Sequence, residues 1–154
     1  MKYTFLFIVI GFSVLSCKKD SSSSNNNPDN NTQLLTSADW KYDSGGIGDA
    51  NGNILFDFTS NIPTCSLDNT ARFKSDGTGT IFENTNVCQN APQSTNFTWN
   101  FGSNQTTLNV SSGAFAGIGG NFKIKTLSGT QMTLLKDTTV TGFGSVTAVI
   151  KLKH

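Results

Sequence analysis

The chain has few of the residues that usually carry catalysis at neutral pH. It contains one histidine, His154, which is the last residue, and only 14% of its residues are charged. Catalysis ordinarily needs a general base, an activated nucleophile or a metal held by several ligands. A terminal histidine is more typical of a frayed chain end than of a base or a ligand. The sequence therefore predicts no enzyme, no cofactor and no metal site.

The acidic residues do not form a catalytic or metal-binding pattern either. Most of them lie in predicted turns, and Asp57, which interrupts an apolar strand, falls on the solvent face by alternation. Residues 49 to 53 resemble part of a calcium-binding loop, but Ile54 and Ser60 stand where that pattern needs glycine and glutamate. We therefore interpret this segment as a hairpin turn built on Asn51-Gly52.

The chain also has no excess of charge of one sign. It carries eleven Lys plus Arg and ten Asp plus Glu, and the loss of a leader containing Lys2 would leave ten of each. A surface that binds nucleic acid normally needs a basic patch. No nucleic-acid partner is therefore predicted.

Residues 1 to 16 are typical of a secretory signal peptide, with a lysine near the start, an apolar run over residues 3 to 12 and small residues before Cys17. The apolar run is well short of the ~20 residues that a membrane-spanning helix needs. The ending Leu15-Ser16-Cys17 resembles the lipobox of bacterial lipoproteins, in which diacylglycerol is attached to the cysteine and the chain is cleaved before it. The alternative is an ordinary secretory peptide with Cys17 near the cleavage site by chance.

The lipobox resemblance implies a mature chain that begins at an acylated Cys17 and has membrane lipid as its partner. Two acyl chains hold a protein on a membrane, since each buried methylene contributes ~0.8 kcal/mol. The expected location is the cell envelope, at the outer membrane, either periplasmic or surface-exposed. Residues 18 to 32 contain no apolar residue that could be buried, so residues 17 to 33 are predicted to form a flexible tether.

Residues 34 to 154 have the composition of a β domain. Thr, Ser, Asn and Gly are abundant, which suits strands and tight turns, and we find no convincing amphipathic helix. About eight or nine short strands joined by hairpins imply an antiparallel sheet that must close or form a sandwich to protect its edges. The sequence predicts an up-and-down β-barrel of about eight strands, with a β-sandwich as the second choice.

The first clear hairpin also bears on the cysteines. A two-residue turn at Asp76-Gly77 pairs Ala71 with Phe82 and, continued along the ladder, brings Cys65 opposite Cys88. Export from the cytoplasm permits a disulfide, and two cysteines allow only one pairing once the lipid site is set aside. A Cys65–Cys88 disulfide is therefore predicted.

Later hairpins place aromatic and aliphatic side chains on one face. A turn at Ser103-Asn104 sets Trp99 against Leu108, and a three-residue loop over residues 127 to 129 sets Phe122 against Leu134. Alternation in the last strand predicts four inward side chains, which are Val146, Ala148, Ile150 and Leu152.

Taken together, these motifs resemble the lipocalin-like domain of small bacterial lipoproteins. The residues that carry the resemblance are Trp40, Cys65 to Asn69, Phe73 to Gly77, Cys88, Trp99 and the Phe122 to Leu135 hairpin. The resemblance covers residues 34 to 154 and implies a small β-barrel of the calycin type. Larger lipocalins open with Gly-x-Trp, where this chain has Ala38-Asp39-Trp40.

Two functions are compatible with such a barrel. In the first, the interior holds a small apolar ligand, and Trp99, Phe115 and Phe143 are the candidate ligand-binding residues. Residues 111 to 120 and 141 to 144 place hydrophobic side chains between glycines, which suits mobile lids, although the same side chains could plug the barrel as core. In the second, side chains fill the barrel and its outer face contacts other envelope components. Barrels of about eight strands occur in both forms, and the interior volume distinguishes them.

Overall fold

The computed structural model describes residues 28 to 115 and 118 to 154. Within these residues the chain forms one α-helix, two short 3-10 helices and nine β-strands. The helices are α1 (Pro28–Thr36) and the 3-10 turns Thr59–Asn61 and Thr64–Ser66. The strands are β1 (Trp40–Gly48), β2 (Ile54–Asp57), β3 (Thr70–Phe73), β4 (Thr78–Phe82), β5 (Ser94–Gly102), β6 (Thr107–Phe115), β7 (Ile118–Leu127), β8 (Gln131–Val140) and β9 (Gly144–Lys153).

Eight of the strands form a closed antiparallel β-barrel. Strands β3 to β8 each pair with the next strand in sequence, and β9 pairs with β1 from Lys41 opposite Lys153 to Gly48 opposite Thr147. Closure pairs the edges that an open sheet would expose. The predicted up-and-down barrel is confirmed, and the chain does not form the sandwich.

The remaining strand, β2, shares one edge of β1 with β3. β3 pairs with β1 only at Trp40 and Lys41, and β2 pairs with the other end of β1, at residues 46 to 48. The chain between β2 and β3 crosses the resulting gap in the wall through the two 3-10 turns. This part of the wall is therefore built from irregular chain rather than from strand.

The β3–β4 hairpin differs by one residue from the predicted register. Ala71 pairs with Ile81, because the loop holds three residues and not two. The Lys74 N–H donates to the Thr78 carbonyl at 2.8 Å, and Gly77 takes the left-handed position of the loop with φ of 83°. A type I turn followed by a left-handed glycine is the usual form of a three-residue hairpin loop.

The one-residue shift moves Phe82 out of the barrel, so the predicted inward pairing of Ala71 with Phe82 is wrong. Ile81 is buried in the core instead. Phe82 lies beside Arg72, whose guanidinium carbon is 5.3 Å from the centre of the ring. Arg72 also makes two hydrogen bonds to the carboxylate of Asp39, at 2.6 and 2.7 Å.

Two later hairpins are shifted by two residues from the predicted pairing. Trp99 pairs with Val110, and Leu134 pairs with Ile124. In the first hairpin, residues 103 to 105 all have left-handed backbone angles, which lengthens the loop. Because strand side chains alternate with a period of two, a shift of two keeps the same residues on the inner face. The prediction of which side chains face inward is therefore confirmed in these two hairpins, although the predicted residue pairs are wrong.

The helix α1 was not expected from the sequence. It contacts β3 and β7, which lie on opposite sides of the barrel, so it crosses one barrel end. Leu35 is fully buried in the core, and the indole N–H of Trp40 donates to the Leu35 carbonyl at 2.8 Å. The prediction of a flexible tether is thus wrong for residues 28 to 33, which are helical.

The predicted Cys65–Cys88 disulfide is confirmed, with 5.1 Å between the two Cα atoms. The strand register does not explain it, since β3 begins at Thr70 and β4 ends at Phe82. The bond instead joins the second 3-10 turn to the loop between β4 and β5. Closing a loop of this size stabilises a fold by ~3 kcal/mol on the chain-entropy model.

Candidate functional site

The barrel encloses a cavity of about 660 Å³. It lies between a packed aromatic core at the α1 end and the opposite end of the barrel, where the β6–β7 and β8–β9 hairpins turn. All eight barrel strands contribute lining residues, chiefly β1, β8 and β9, and so do the irregular chain between β2 and β3 and the loop between β4 and β5. Pockets that bind small molecules typically measure about 300 to 1,000 Å³.

The cavity is lined mainly by apolar side chains. Its floor includes Trp40, Ala71 and Leu152, which also belong to the buried core. The predicted inward row of β9 is confirmed, since Val146, Ala148, Ile150 and Leu152 all line the cavity. Such a surface favours an apolar ligand, because burying apolar area is the main favourable contribution to its binding.

Small residues on β1 help to leave this space open. The glycine-rich part of β1 supplies Gly45 and Gly46 to the lining. A Cβ atom at Gly45 would stand 2.8 Å from the hydroxyl oxygen of Tyr42, so that position requires glycine for Tyr42 to lie where it does.

Tyr42 brings a hydroxyl group to the cavity wall. Its Oη lies 3.2 Å from Oγ1 of Thr59, in the first 3-10 turn. Burial raises the pKa of Tyr42, the hydrogen bond to Thr59 opposes that shift, and the nearby Asp57 and Asp43 add to it. The phenol therefore stays protonated at neutral pH and can donate or accept one hydrogen bond.

Glu83 is the one carboxylate among the described lining residues. Its Oε1 accepts a hydrogen bond from the side-chain amide of Asn69 at 2.8 Å, and its Oε2 accepts one from the backbone N–H of Cys88 at 3.3 Å. Cys88 is one of the disulfide cysteines, and Asn69 follows the other, Cys65, by a few residues. Glu83 thus links the disulfide loop to the barrel wall by hydrogen bonds.

Lys136 is a charged residue on the inward row of β8. Leu134 precedes it on this row and is fully buried, and Thr138 and Val140 follow it and line the cavity, as Lys136 itself does. The ammonium group donates a hydrogen bond to the Gly119 carbonyl. An inward lysine is unusual in an otherwise apolar barrel, because burial of a charge is unfavourable unless the charge is paired.

Large apolar side chains are exposed at the open end of the barrel. Four of them, Phe56, Phe58, Ile118 and Phe143, form what we call the apolar rim, with exposed fractions of 53%, 36%, 41% and 52%. Phe58 and Ile118 also line the cavity, and the rings of Phe56 and Phe143 meet edge to face at 5.8 Å. Clustered exposed apolar residues commonly mark a binding surface.

The three candidate ligand residues lie in different places. Phe115 lines the cavity, where its ring packs against Phe122 at 5.7 Å. Trp99 is not among the lining residues, because its ring belongs to the packed core and its indole N–H donates to the Lys74 and Thr78 carbonyls. Phe143 is in the apolar rim and does not line the cavity.

The first of the two glycine-rich segments forms strand in its described residues, since residues 111 to 115 end β6 and residues 118 to 120 begin β7. Phe115 is buried in the core, as the interpretation of these side chains as a plug expects, whereas Ile118 is exposed. Residues 116 and 117 lie outside the described part of the chain. In the second segment, the Phe143 N–H donates to the Val140 carbonyl at 3.0 Å, which closes a tight turn between β8 and β9.

His154 is not frayed, contrary to the prediction. Its N–H donates to the Thr130 carbonyl at 3.2 Å, and its ring meets the Trp40 ring edge to face at 3.8 Å. Burial lowers the pKa of His154, and Asp39 partly opposes that effect. Within residues 28 to 115 and 118 to 154, no three His, Cys, Asp or Glu side chains are placed to hold a metal ion together.

Tyr42, Glu83 and Lys136 are among the polar residues of the cavity that the sequence did not predict. A signal for Lys136 was present, because the alternation that turns Met132 and Leu134 inward also turns Lys136 inward. Glu83 could not be found in this way, since it follows the end of β4 and owes its place to the loop that contains Cys88.

No family model matches the chain, and a search of curated proteins finds no match either. None of the described helices has the length and apolar character to span a bilayer.

Proposed function

We propose that the protein binds a small, mainly apolar molecule inside its barrel. The observation that carries the proposal is the apolar cavity of about 660 Å³ beneath the apolar rim. A volume of this order accommodates a ligand of a few tens of atoms, and the lining offers few polar groups to orient it. The apolar rim gives such a ligand a route from a membrane or another apolar surface.

As part of the same proposal, the protein is a lipoprotein of the bacterial cell envelope with a lipocalin-like domain. The support for the anchor is the sequence around Cys17, and the support for the domain type is the set of residues from Trp40 to Leu135 described above. An anchored protein would hold its barrel close to a source of apolar ligands, which is consistent with a binding role.

The alternative is a structural or interaction protein that takes no small molecule. The apolar rim favours it, since exposed Phe56, Phe58, Ile118 and Phe143 could contact another envelope component. The packed aromatic core at the α1 end also fits a filled barrel. We prefer the binding role because the rest of the interior is not filled.

Native mass spectrometry of the full-length Cys17→Ala protein, which cannot be acylated, tests the binding role. We expect a noncovalent adduct of small mass, or binding of added dodecanol. Ala148→Phe should abolish both, because Ala148 lines the cavity and a phenyl ring would occupy it. The matched control is Thr139→Phe, which adds the same ring at an exposed position on β8.

Absence of both the adduct and dodecanol binding in a folded protein would contradict the binding role. So would equal binding by the Ala148→Phe and Thr139→Phe variants, since the ligand would then lie elsewhere.

A further inference from the structure

We propose that Lys136 makes the cavity selective for an amphiphile with an anionic head group, such as a long-chain carboxylate, and pairs with that head group inside the barrel. This inference rests on the proposed binding function and names its ligand class.

Lys136 lies on the inward side of β8, before the end of the strand. It pairs with Ala148 of β9, and both residues line the cavity. It lies two residues from the buried Leu134 and four from Val140, where β8 ends. At ~3.3 Å per strand residue, its backbone is ~13 Å below the end of the strand. Its side chain, however, reaches toward that end, because the ammonium group bonds to the carbonyl of Gly119, one residue from the start of β7. A head group that pairs with Lys136 therefore lies near the open end of the cavity, with its alkyl chain directed into the barrel.

The charge of Lys136 has no carboxylate partner within the described residues. Two ion pairs form within the described part of the chain, Arg72 with Asp39 and Lys153 with Asp43, and neither includes Lys136. Glu83, the carboxylate in the lining, is already bound to Asn69 and to the Cys88 N–H. No side chain of the described cavity wall thus neutralises the ammonium group.

The ammonium group of Lys136 has neutral surroundings. It bonds to the Gly119 carbonyl, lies beside the backbone of Gly120, and has the ring centre of Phe122 at 5.4 Å from Nζ. A carbonyl oxygen and an aromatic ring attract a cation, but neither carries a full negative charge. An ammonium has three hydrogens to donate, so a ligand carboxylate could accept a charge-assisted hydrogen bond without displacing Gly119.

The ammonium group of Lys136 differs from most of the cavity lining, which is apolar. Side chains such as Val140, Val146 and Ile150 surround the cavity with apolar surface, which suits an alkyl chain. In such a site a carboxylate is unfavourable unless a cation meets it, and Lys136 supplies that cation. The combination favours an anionic amphiphile over a neutral one and disfavours a cationic one.

The test compares three ligands that have the same number of carbons in the main chain and differ in the charge of the head group. These are laurate, dodecanol and dodecyltrimethylammonium, titrated by calorimetry into the full-length Cys17→Ala protein, in which no acyl chain of its own can compete. We expect laurate to bind about tenfold more tightly than dodecanol and the cationic ligand to bind weakest.

Lys136→Met keeps an unbranched side chain and removes the charge. We expect it to weaken laurate binding about tenfold and to leave dodecanol binding unchanged or stronger. Lys136→Arg should retain the preference for laurate. The matched control is Lys123→Met, which removes a charge from an exposed position on β7 and should change neither affinity.

Equal binding of laurate and dodecanol by the unsubstituted Lys136 protein would overturn the inference and leave the proposed binding function standing. A parallel loss of both ligands in Lys136→Met would also overturn it, because Lys136 would then act only on the shape of the cavity. If none of the three ligands binds, the proposed binding function fails as well.

Discussion

At the scale of single residues, the polar groups of the cavity decide its chemistry. Tyr42, Glu83 and Lys136 interrupt a lining that is otherwise mostly apolar. Glu83 is occupied by the disulfide loop, and Tyr42 is bonded to Thr59. In the proposed binding role, Lys136 therefore supplies the charge that a ligand would meet.

Tyr42 should make the stability of the fold depend on pH at the alkaline end. Its pKa is raised above the ordinary value of 10.0, chiefly by burial. The unfolded chain therefore loses this proton at a lower pH than the folded chain does. The contribution of Tyr42 to stability is complete below pH 10.0 and is lost as the pH rises through the folded-state pKa.

We expect Tyr42→Phe to remove this dependence. The variant also loses the hydrogen bond to Thr59, which costs about 0.5 to 1.5 kcal/mol at all pH values where the phenol is protonated. Urea unfolding of both proteins should therefore show a free-energy difference that shrinks as the pH rises above about 10. A difference that stays constant across this range would show that Tyr42 titrates alike in the folded and unfolded chains.

At the scale of elements, α1 closes one end of the barrel, and the sequence did not predict this helix. Apart from Pro28, Leu34 and Leu35, the helix is polar, so it shows no hydrophobic periodicity. Its place depends on one fully buried side chain, Leu35, and on the hydrogen bond from the Trp40 indole to the Leu35 carbonyl. Short helices of this kind are stabilised by tertiary packing rather than by propensity.

Leu35→Ala should therefore lower the free energy of unfolding by about 2 to 5 kcal/mol, as for other fully buried leucines. The matched control is Leu34→Ala in the same helix, where the side chain is only half-buried and the loss should be smaller. Urea unfolding measures both. Equal losses in the two variants would mean that the burial of Leu35 does not hold the helix against the barrel.

The hairpins show which part of an element can be predicted. The predicted facing held in the β5–β6 and β7–β8 hairpins, where the pairing moved by two residues. It failed in the β3–β4 hairpin, where Gly77 makes the loop one residue longer and moves Phe82 outside. Alternation depends on the strand alone, whereas register depends on the loop that the turn residues select.

At the scale of the whole molecule, the two barrel ends differ. α1 and the aromatic core close one end, and the apolar rim surrounds the other. The proposed lipid anchor precedes α1 by ten residues, 18 to 27, which could extend at most ~36 Å. An anchored barrel would therefore stay within a short distance of the membrane.

Cys17→Ala should release the protein from the membrane. The expected result in cell fractionation is a shift from the membrane fraction to the soluble fraction, because the acyl chains have no other point of attachment. Ser16→Ala, which keeps the cysteine and a small residue before it, is the control and should leave the protein membrane-bound. Membrane binding that persists in Cys17→Ala would exclude the lipid anchor.

The sequence by itself determined the strand-rich class, the inward row of β9 and the disulfide partners, and it favoured a barrel over a sandwich. These features depend on local alternation and on the number of cysteines, which are properties of the chain alone. Only the tertiary structure decided that α1 covers one end, that a cavity remains beneath the apolar rim, and that Lys136 faces it without a carboxylate partner within the described residues. The volume left inside a barrel depends on side chains from opposite walls and on the elements that close the ends. These residues are far apart in sequence, so no single stretch of it predicts the volume.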